Sequence, residues 1–247
     1  AGMMIEDRIC TYTIAMERTV VPENFSFRMT DEEYRVLEKI KNSIPVCYLA
    51  DHADFALGIV TGNNKKFLSA EKTEHSEMVL KGTDICKYHI NPVKQYLRFE
   101  PEQFQQVAPL EIYRAPEKLL YRFISNQLVV AYDDRQMLSL NSCNIVIPKI
   151  EGMQIKYILA ILNSSVSQFV YQKEFHSIKV LRAHMEHIPI PRVGKAIQNE
   201  IIAMTEPLIC GMGKEAAETC QKRLDCRIMD LFRLSAEEQW IIRHALH

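Results

Sequence analysis

The sequence predicts a mixed α+β protein, a β-rich domain followed by a helical C-terminal segment. Three observations predict it. Between Leu110 and Pro148, short apolar runs rich in Val, Ile and Tyr alternate with polar breaks, the pattern of consecutive strands. From Gly152 to Gln172 the apolar residues recur every three or four positions, the helical period. The composition, 47% hydrophobic and 25% charged over 247 residues, suits a globular chain of one or two domains. The expected division is a lead-in over 1–30, a β-rich domain over 31–192 and a helical segment over 193–247.

Taken in order, 5–21 mixes β-branched and polar residues and is read as holding a strand, and 22–29 is a break. Thr30-Asp31-Glu32-Glu33 starts a helix, with Thr30 as N-cap and Glu33 closing a capping box. Tyr34, Leu37 and Ile40 carry it toward Pro45, and 46–49 is a short strand. Residues 55–68 read as strand, tight turn and strand, because Gly62, Asn63 and Asn64 tolerate positive φ. An acidic helix-like segment at 71–77 precedes a strand end and turn over 79–88. A strand follows at 96–99 and a loop or helical turn at 101–106. Leu128 to Tyr132 has no polar residue and reads as a strand buried on both faces.

A helix is expected over 155–171, with Asn163-Ser164-Ser165 as a bend. Ile188-Pro189-Ile190-Pro191 is extended, since the residue before a proline avoids the α region. Ile197, Ile201, Met204, Leu208 and Met212 then form one helical stripe, and Leu224, Ile228, Leu231 and Phe232 another. Ser235-Ala236-Glu237-Glu238 opens the last helix with a second capping box.

Several chemistries are disfavoured. The seven cysteines are scattered with no CxxC pair, which speaks against a zinc ribbon and for free thiols in a reducing cytoplasm. No glycine-rich phosphate loop is visible: Gly211-Met212-Gly213-Lys214 lacks the spacing and sits in a helical pattern. No Pro-Asp followed by Glu-x-Lys marks a nuclease. The nearest match to an amino-methyltransferase Asn-Pro-Pro-aromatic run is Asn91-Pro92-Val93-Lys94, which lacks the second proline and the aromatic. His184 and His187 could share a helix face toward a metal, but no third ligand is suggested nearby. Asp51, His52 and Asp54 read as a hydrogen-bonded loop. No apolar run approaches the roughly 20 residues that span a bilayer. Met3-Met4-Ile5-Glu6-Asp7-Arg8 is charged where a signal peptide is apolar, and Ala1-Gly2 reads as a cloning remnant.

The formal net charge of −1 gives no global attraction to nucleic acid but leaves room for a local patch. Candidates for such a patch are present. Arg114, Lys118 and Arg122 are interleaved with Tyr113, Tyr121 and Phe123. Asn63-Asn64-Lys65-Lys66 forms a projecting tip, and Lys81 and Lys87 lie near the next turn. Lys179 and Arg182 fall in the most basic window, 176–195, where Glu186 is the one acid. Cations hold phosphates, amides can read adenine edges, and aromatic rings accept cations or bases. The plain alternative is that these charges only solvate a sheet face and a hairpin tip.

With these residues laid out, the chain resembles the TaqI-like C-terminal specificity domain, the target-recognition part of N6-adenine DNA methyltransferases and fused type II restriction-modification enzymes. The resemblance lies in ordered segments: 58–67 (GIVTGNNKKF), 80–88 (LKGTDICKY), 117–124 (EKLLYRFI), 140–145 (LNSCNI), 161–164 (ILNS), 188–191 (IPIP) and 231–238 (LFRLSAEE). It covers 44 to the end. It implies a sequence-specific DNA recognition module that is non-catalytic on its own, either an isolated domain or a piece of a longer chain. It implies duplex DNA and an N-terminal methyltransferase domain as partners, no membrane, and a cytoplasmic location. It implies no cofactor here, with S-adenosylmethionine belonging to the parent catalytic domain. Together with the residue patterns it nominates Asn63, Asn64, Lys65, Lys66, Lys81, Lys87, Tyr88, Arg114, Lys118, Tyr121, Arg122, Asn141, Lys179 and Arg182 as the DNA-binding set, converging on one face. Lys81 stands where the family often has Arg, and a lysine lacks the planar fork that reads guanine bidentately. The competing reading is a protein-protein scaffold with the helical tail as docking surface.

Overall fold

The computed structural model describes residues 2–6, 11–15, 29–175 and 177–246. The expected break at 22–28 and His176 of the basic window lie outside the described residues. In chain order the elements are β1 (Gly2–Glu6), β2 (Thr11–Ala15), α1 (Asp31–Asn42), β3 (Val46–Cys47) and β4 (Ala53–Ala56). Then come α2 (Asn64–Phe67), β5 (Leu68–Ser69), β6 (Ser76–Leu80), β7 (Tyr96–Arg98) and α3 (Leu110–Tyr113). The next strands are β8 (Lys118–Arg122), β9 (Val130–Asp133), β10 (Leu138–Ser139) and β11 (Cys143–Pro148). The remainder is α4 (Ile155–Asn163), α5 (Ser165–Glu174), α6 (Arg182–Glu186), β12 (Ile190–Pro191), α7 (Lys195–Ile209), α8 (Lys214–Leu231) and α9 (Ala236–Ala245).

Two four-stranded sheets carry the β-rich part. One runs β4-β11-β8-β9 and is antiparallel throughout. The other runs β10-β6-β7-β5, with β10 and β6 parallel. The period of two along a strand sorts residues between two cores. Leu119, Tyr121, Val130 and Tyr132 face a core shared with α1, α4, α5, α8 and α9. Leu120, Ala131 and Ile145 face a second core filled by Val79, Leu80, Leu97 and Leu138 of the other sheet. The layers are therefore helices, sheet, sheet. That is why β9, in the middle, is buried along its whole length as its apolar run predicts. Helices α7 to α9 contribute Ile201, Leu208, Leu224, Ile228 and Ile242 to the first core.

Local chemistry sets the helix starts. Thr30 accepts the Glu33 N–H at 3.2 Å and Glu33 accepts the Thr30 N–H at 3.0 Å, the expected capping box. Ser235 and Glu238 repeat it at α9. Four expectations are corrected. The 55–68 hairpin is absent: Asn63 caps α2 through its side chain, and β5 pairs with β7 instead of β4. The 71–77 segment is not helical and runs into β6. Residues 110–113 form a helical turn after Pro109, not a strand. Gly211 and Gly213 lie between α7 and α8 rather than inside a helix. The 155–171 helix is broken, as its Asn-Ser-Ser run suggests, at Ser164, which adopts ψ 159° and caps α5 by accepting the Ser167 N–H. Asn163, at that break, turns its amide back onto β9, accepting from Val130 N at 3.1 Å and donating to Val130 O at 2.8 Å.

Candidate nucleic-acid interface

Three extended segments leave the second sheet at the same end because they run parallel. β10 lies parallel to β6, and Leu140 N donates to Leu80 O at 2.8 Å. Residues 58–60 lie parallel to β10 through the Ile59–Leu140 bridge, with Asn141 N donating to Ile59 O at 3.1 Å. Their continuations 81–84 and 141–142, with the start of the 61–66 segment, therefore share one rim, while α2 leads away to Leu68, which pairs with Leu97 level with Glu77. Arg122, the last residue of β8, closes the rim: Nε donates to Gly82 O at 2.8 Å and Nη2 to Ile85 O at 2.6 Å. Gly82 is required there, since a Cβ would lie 2.4 Å from the Ser142 carbonyl oxygen and 3.2 Å from Arg122 Cγ. Lys81 sits on a turn fixed by Asp84, which accepts the Lys81 N–H at 2.7 Å and donates its own N–H to Lys81 O.

Beyond Arg122 the chain pairs with 178–180. Ser125 N donates to Ile178 O at 2.9 Å and Val180 N to Phe123 O at 2.8 Å. This brings Lys179 to the rim, its Nζ 6.0 Å from the Phe123 ring centre. Arg182 follows at the start of α6, 5.2 Å from the Phe55 ring centre and paired with Glu186. At the tip, Asn63 Oδ1 accepts the Lys66 N–H and Asn64 Oδ1 accepts the Thr61 hydroxyl at 2.6 Å. Each amide oxygen keeps a second lone pair and each Nδ2 remains a donor. Lys66 Nζ donates to Gln103 Oε1 at 2.7 Å, while Lys65 is exposed and makes no ion pair among the described residues. Asn141 is also exposed.

The other nominated residues lie elsewhere, which corrects the single-face expectation. Arg114 binds Glu77 through two bonds of 2.8 and 2.6 Å. Glu77 precedes Lys81 by four residues of extended chain, about 13 Å at about 3.3 Å per residue, so Arg114 is at the opposite end. Lys118 precedes Arg122 by the same interval and is sealed between the sheets. Its Nζ lies 2.5 Å from Asp133 Oδ2, with both side chains 0% exposed, and donates to Tyr113 O at 2.6 Å. Tyr88 is 1% and Tyr121 3% exposed. Tyr88 extends the free edge of β9, exchanging bonds with Val130 O and Tyr132 N, and Tyr121 packs edge-on against Phe55. Burial pushes the Tyr121 phenol up to about 12. Residues without exposed surface do not touch a duplex, so Lys118, Tyr88 and Tyr121 are core groups. Lys87 is spent inward too: its Nζ donates to Asn163 O at 3.1 Å, and burial lowers its pKa while Asp225 pulls it back.

The histidine pair is occupied by structural work. His184 stacks on Phe175 at 4.5 Å and its Nδ1 accepts the Leu181 N–H, while His187 Nδ1 lies 2.6 Å from Ala183 O. Among the described residues no group of three or more His, Cys, Asp or Glu side chains gathers as a metal site. No helix among them is long and apolar enough to cross a membrane. Sequence reasoning missed Gly82 and Ser142 as the point of close contact in the rim, where Gly82 N donates to Ser142 Oγ at 3.0 Å. It also missed the exposed Ile124 and Ile178, whose signal was their place beside Arg122 and Lys179.

Residues 77–190 match the TaqI-like C-terminal specificity domain. No curated protein matches the chain. Among solved structures, the chain is similar to the Type IIL restriction-modification enzyme MmeI in complex with DNA, with a TM-score of 0.54 and 11% identity, covering 83% of this chain and 37% of that one. It is similar to a chain of a type I R-M system, TM-score 0.47 and 13% identity, covering 88% of this chain and 52% of that one. It is also similar to the HsdS subunit from Thermoanaerobacter tengcongensis, TM-score 0.44 and 13% identity, covering 87% of this chain and 50% of that one. The chain thus spans between about a third and a half of the length of these structures.

Proposed function

We propose, on the premise that residues 77–190 are a TaqI-like C-terminal specificity domain, that this chain is the DNA target-recognition module of a site-specific adenine methyltransferase or restriction-modification enzyme. One observation supports the reading beyond the family: Lys81, Arg122, Asn141 and Lys179 share one rim, with Arg182 beside it on Phe55 and the 63–66 tip leaving from its edge. Lys65, Lys66, Lys81 and Lys179 act as phosphate contacts, which position a duplex without reading it. Asn63, Asn64 and Asn141 carry the base-edge readout. Arg122 holds the turn that displays Lys81, and Arg182 extends the basic strip. The partner is a methyltransferase domain of the same protein, which extrudes the target adenine and supplies S-adenosylmethionine chemistry. The fold of MmeI, solved in complex with DNA, supports the same use of this architecture.

The test is a duplex titration of the intact parent protein at two salt concentrations. Lys65→Ala weakens binding to all duplexes alike and lowers the log-log salt slope by about one. Asn64→Ala narrows the gap between the preferred and a random duplex by about 1–3 kcal/mol. Affinity that does not fall with salt would overturn the proposal.

A further inference from the structure

We infer that the two-stranded ribbon formed by 123–125 and 178–180 enters the major groove and that Ile124, beside Lys179, reads the methyl group of a thymine. The inference rests on the reading of the rim as a duplex-binding surface and names an element of it. Ile124 is 60% and Ile178 70% exposed, far from the usual place of a branched aliphatic side chain. Ile124 and Lys179 are antiparallel bridge partners, and the flanking bonds run from Ser125 N to Ile178 O and from Val180 N to Phe123 O. That arrangement is the non-hydrogen-bonded pair, in which the Cα atoms stand about 4.5 Å apart and the two side chains share a face. A hydrocarbon and an ammonium group are thus presented side by side.

The surroundings favour a polyanion over a protein partner. Over 121–127 and 177–183 the chain carries Arg122, Lys179 and Arg182 and no acidic residue, and of these three cations Arg182 alone is paired with an acid among the described residues, Glu186. A two-stranded ribbon fits the major groove, where the thymine C5-methyl is the one apolar feature of the base edges. The ribbon is also held in shape before any partner arrives. Ser177 Oγ donates to Lys179 O at 2.9 Å and accepts the Lys179 N–H at 3.0 Å, and the buried Tyr171 hydroxyl donates to Ser177 O at 3.0 Å. A rigid apolar contact loses little ordering entropy on binding.

The experiment uses the intact parent protein and the duplex it selects from a random pool. Each thymine of that duplex is replaced in turn by deoxyuridine, which removes only the methyl group. The expected result is one position where the wild-type protein loses about fourfold in affinity, the worth of one buried methyl group. Ile124→Ala then loses affinity on the thymine duplex and shows no further loss on the uracil duplex. Lys179→Ala weakens both duplexes and preserves their ratio. Binding without a methyl-sensitive position, or an Ile124→Ala protein as methyl-sensitive as the wild type, overturns the inference and leaves the recognition reading standing. Failure to bind any duplex overturns that reading and this inference together. Unchanged DNA affinity with loss of a solution dimer on Ile124→Ser/Ile178→Ser overturns it in favour of a second copy of the chain.

Discussion

Replacing Lys118 by methionine removes one half of an ion pair sealed between the two sheets. The ammonium lies 2.5 Å from Asp133 and neither side chain is exposed, so deletion leaves a buried carboxylate without its counter-charge. Breaking such a pair from one side costs about 3–5 kcal/mol. Asp133 retains the N–H groups of Arg135 at 2.9 Å and Met137 at 3.0 Å, which stabilise the orphaned charge. The Tyr113 carbonyl also loses its Nζ donor. These two effects oppose each other, and the expected loss is about 3 kcal/mol. The assay is urea unfolding of wild type, Lys118→Met, Asp133→Asn and the double variant. Their coupling energy should exceed the roughly 0.2–1 kcal/mol of an exposed pair. Burial pulls the Lys118 pKa down and Asp133 opposite pulls it back. A loss below about 1 kcal/mol, or an unchanged stability with a reduced salt slope of DNA binding, would return Lys118 to the surface and refute the reasoning.

Three further outcomes are expected. Burial, with a smaller push from His187, lowers the His184 pKa below its ordinary 6.5, so on acidification the unfolded chain takes up its proton first. The stability present above that value is lost as pH falls through the folded pKa, and urea midpoints between about pH 7.5 and 5 should show a decline that His184→Gln flattens. Gly82→Ala drives a Cβ to 2.4 Å from the Ser142 carbonyl oxygen; it should cost about 1–3 kcal/mol and weaken duplex binding by displacing the Lys81–Arg122 turn, both read by unfolding and titration. Asn163→Ala orphans the Val130 N–H, costs about 1–3 kcal/mol, and should speed hydrogen exchange at Val130; unchanged exchange there would contradict the amide's role as a strand partner.

What the sequence made legible was local or periodic. The capping boxes at Thr30 and Ser235 need only residues three apart, and both form. The unbroken apolar run at 128–132 reported a strand covered on both faces, which β9 is over Val130–Asp133, while Leu128 and Val129 lie before its start. What stayed hidden depends on strand register. Lys118 reads as a surface cation until it is known that β8 and β9 place it opposite Asp133. Arg114 and Arg122 sit eight positions apart in a run of similar cations, yet they fall at opposite ends of the sheet pair. The misread hairpin at 55–68 has a chemical cause: the Asn amide that tolerates a tight turn is equally an N-cap, and Asn63 serves as the cap.

The rim separates groups that hold the fold from groups free to read. Gly58 and Gly82 are fixed by backbone contact, for a Cβ on Gly58 would meet the Leu140 carbonyl oxygen at 2.1 Å. Arg122 is fixed by its bonds to Gly82 O and Ile85 O. Lys65, Asn141 and Lys179 are exposed, and among the described residues their side chains make no hydrogen bond or ion pair, Lys179 only lying over the Phe123 ring. Surface positions of that kind change with little effect on stability. The parallel exits of 58–60, β6 and β10 keep their loops together whatever those loops carry. A module built this way can alter what it contacts by substituting rim side chains, while the glycines and Arg122 keep the rim in place.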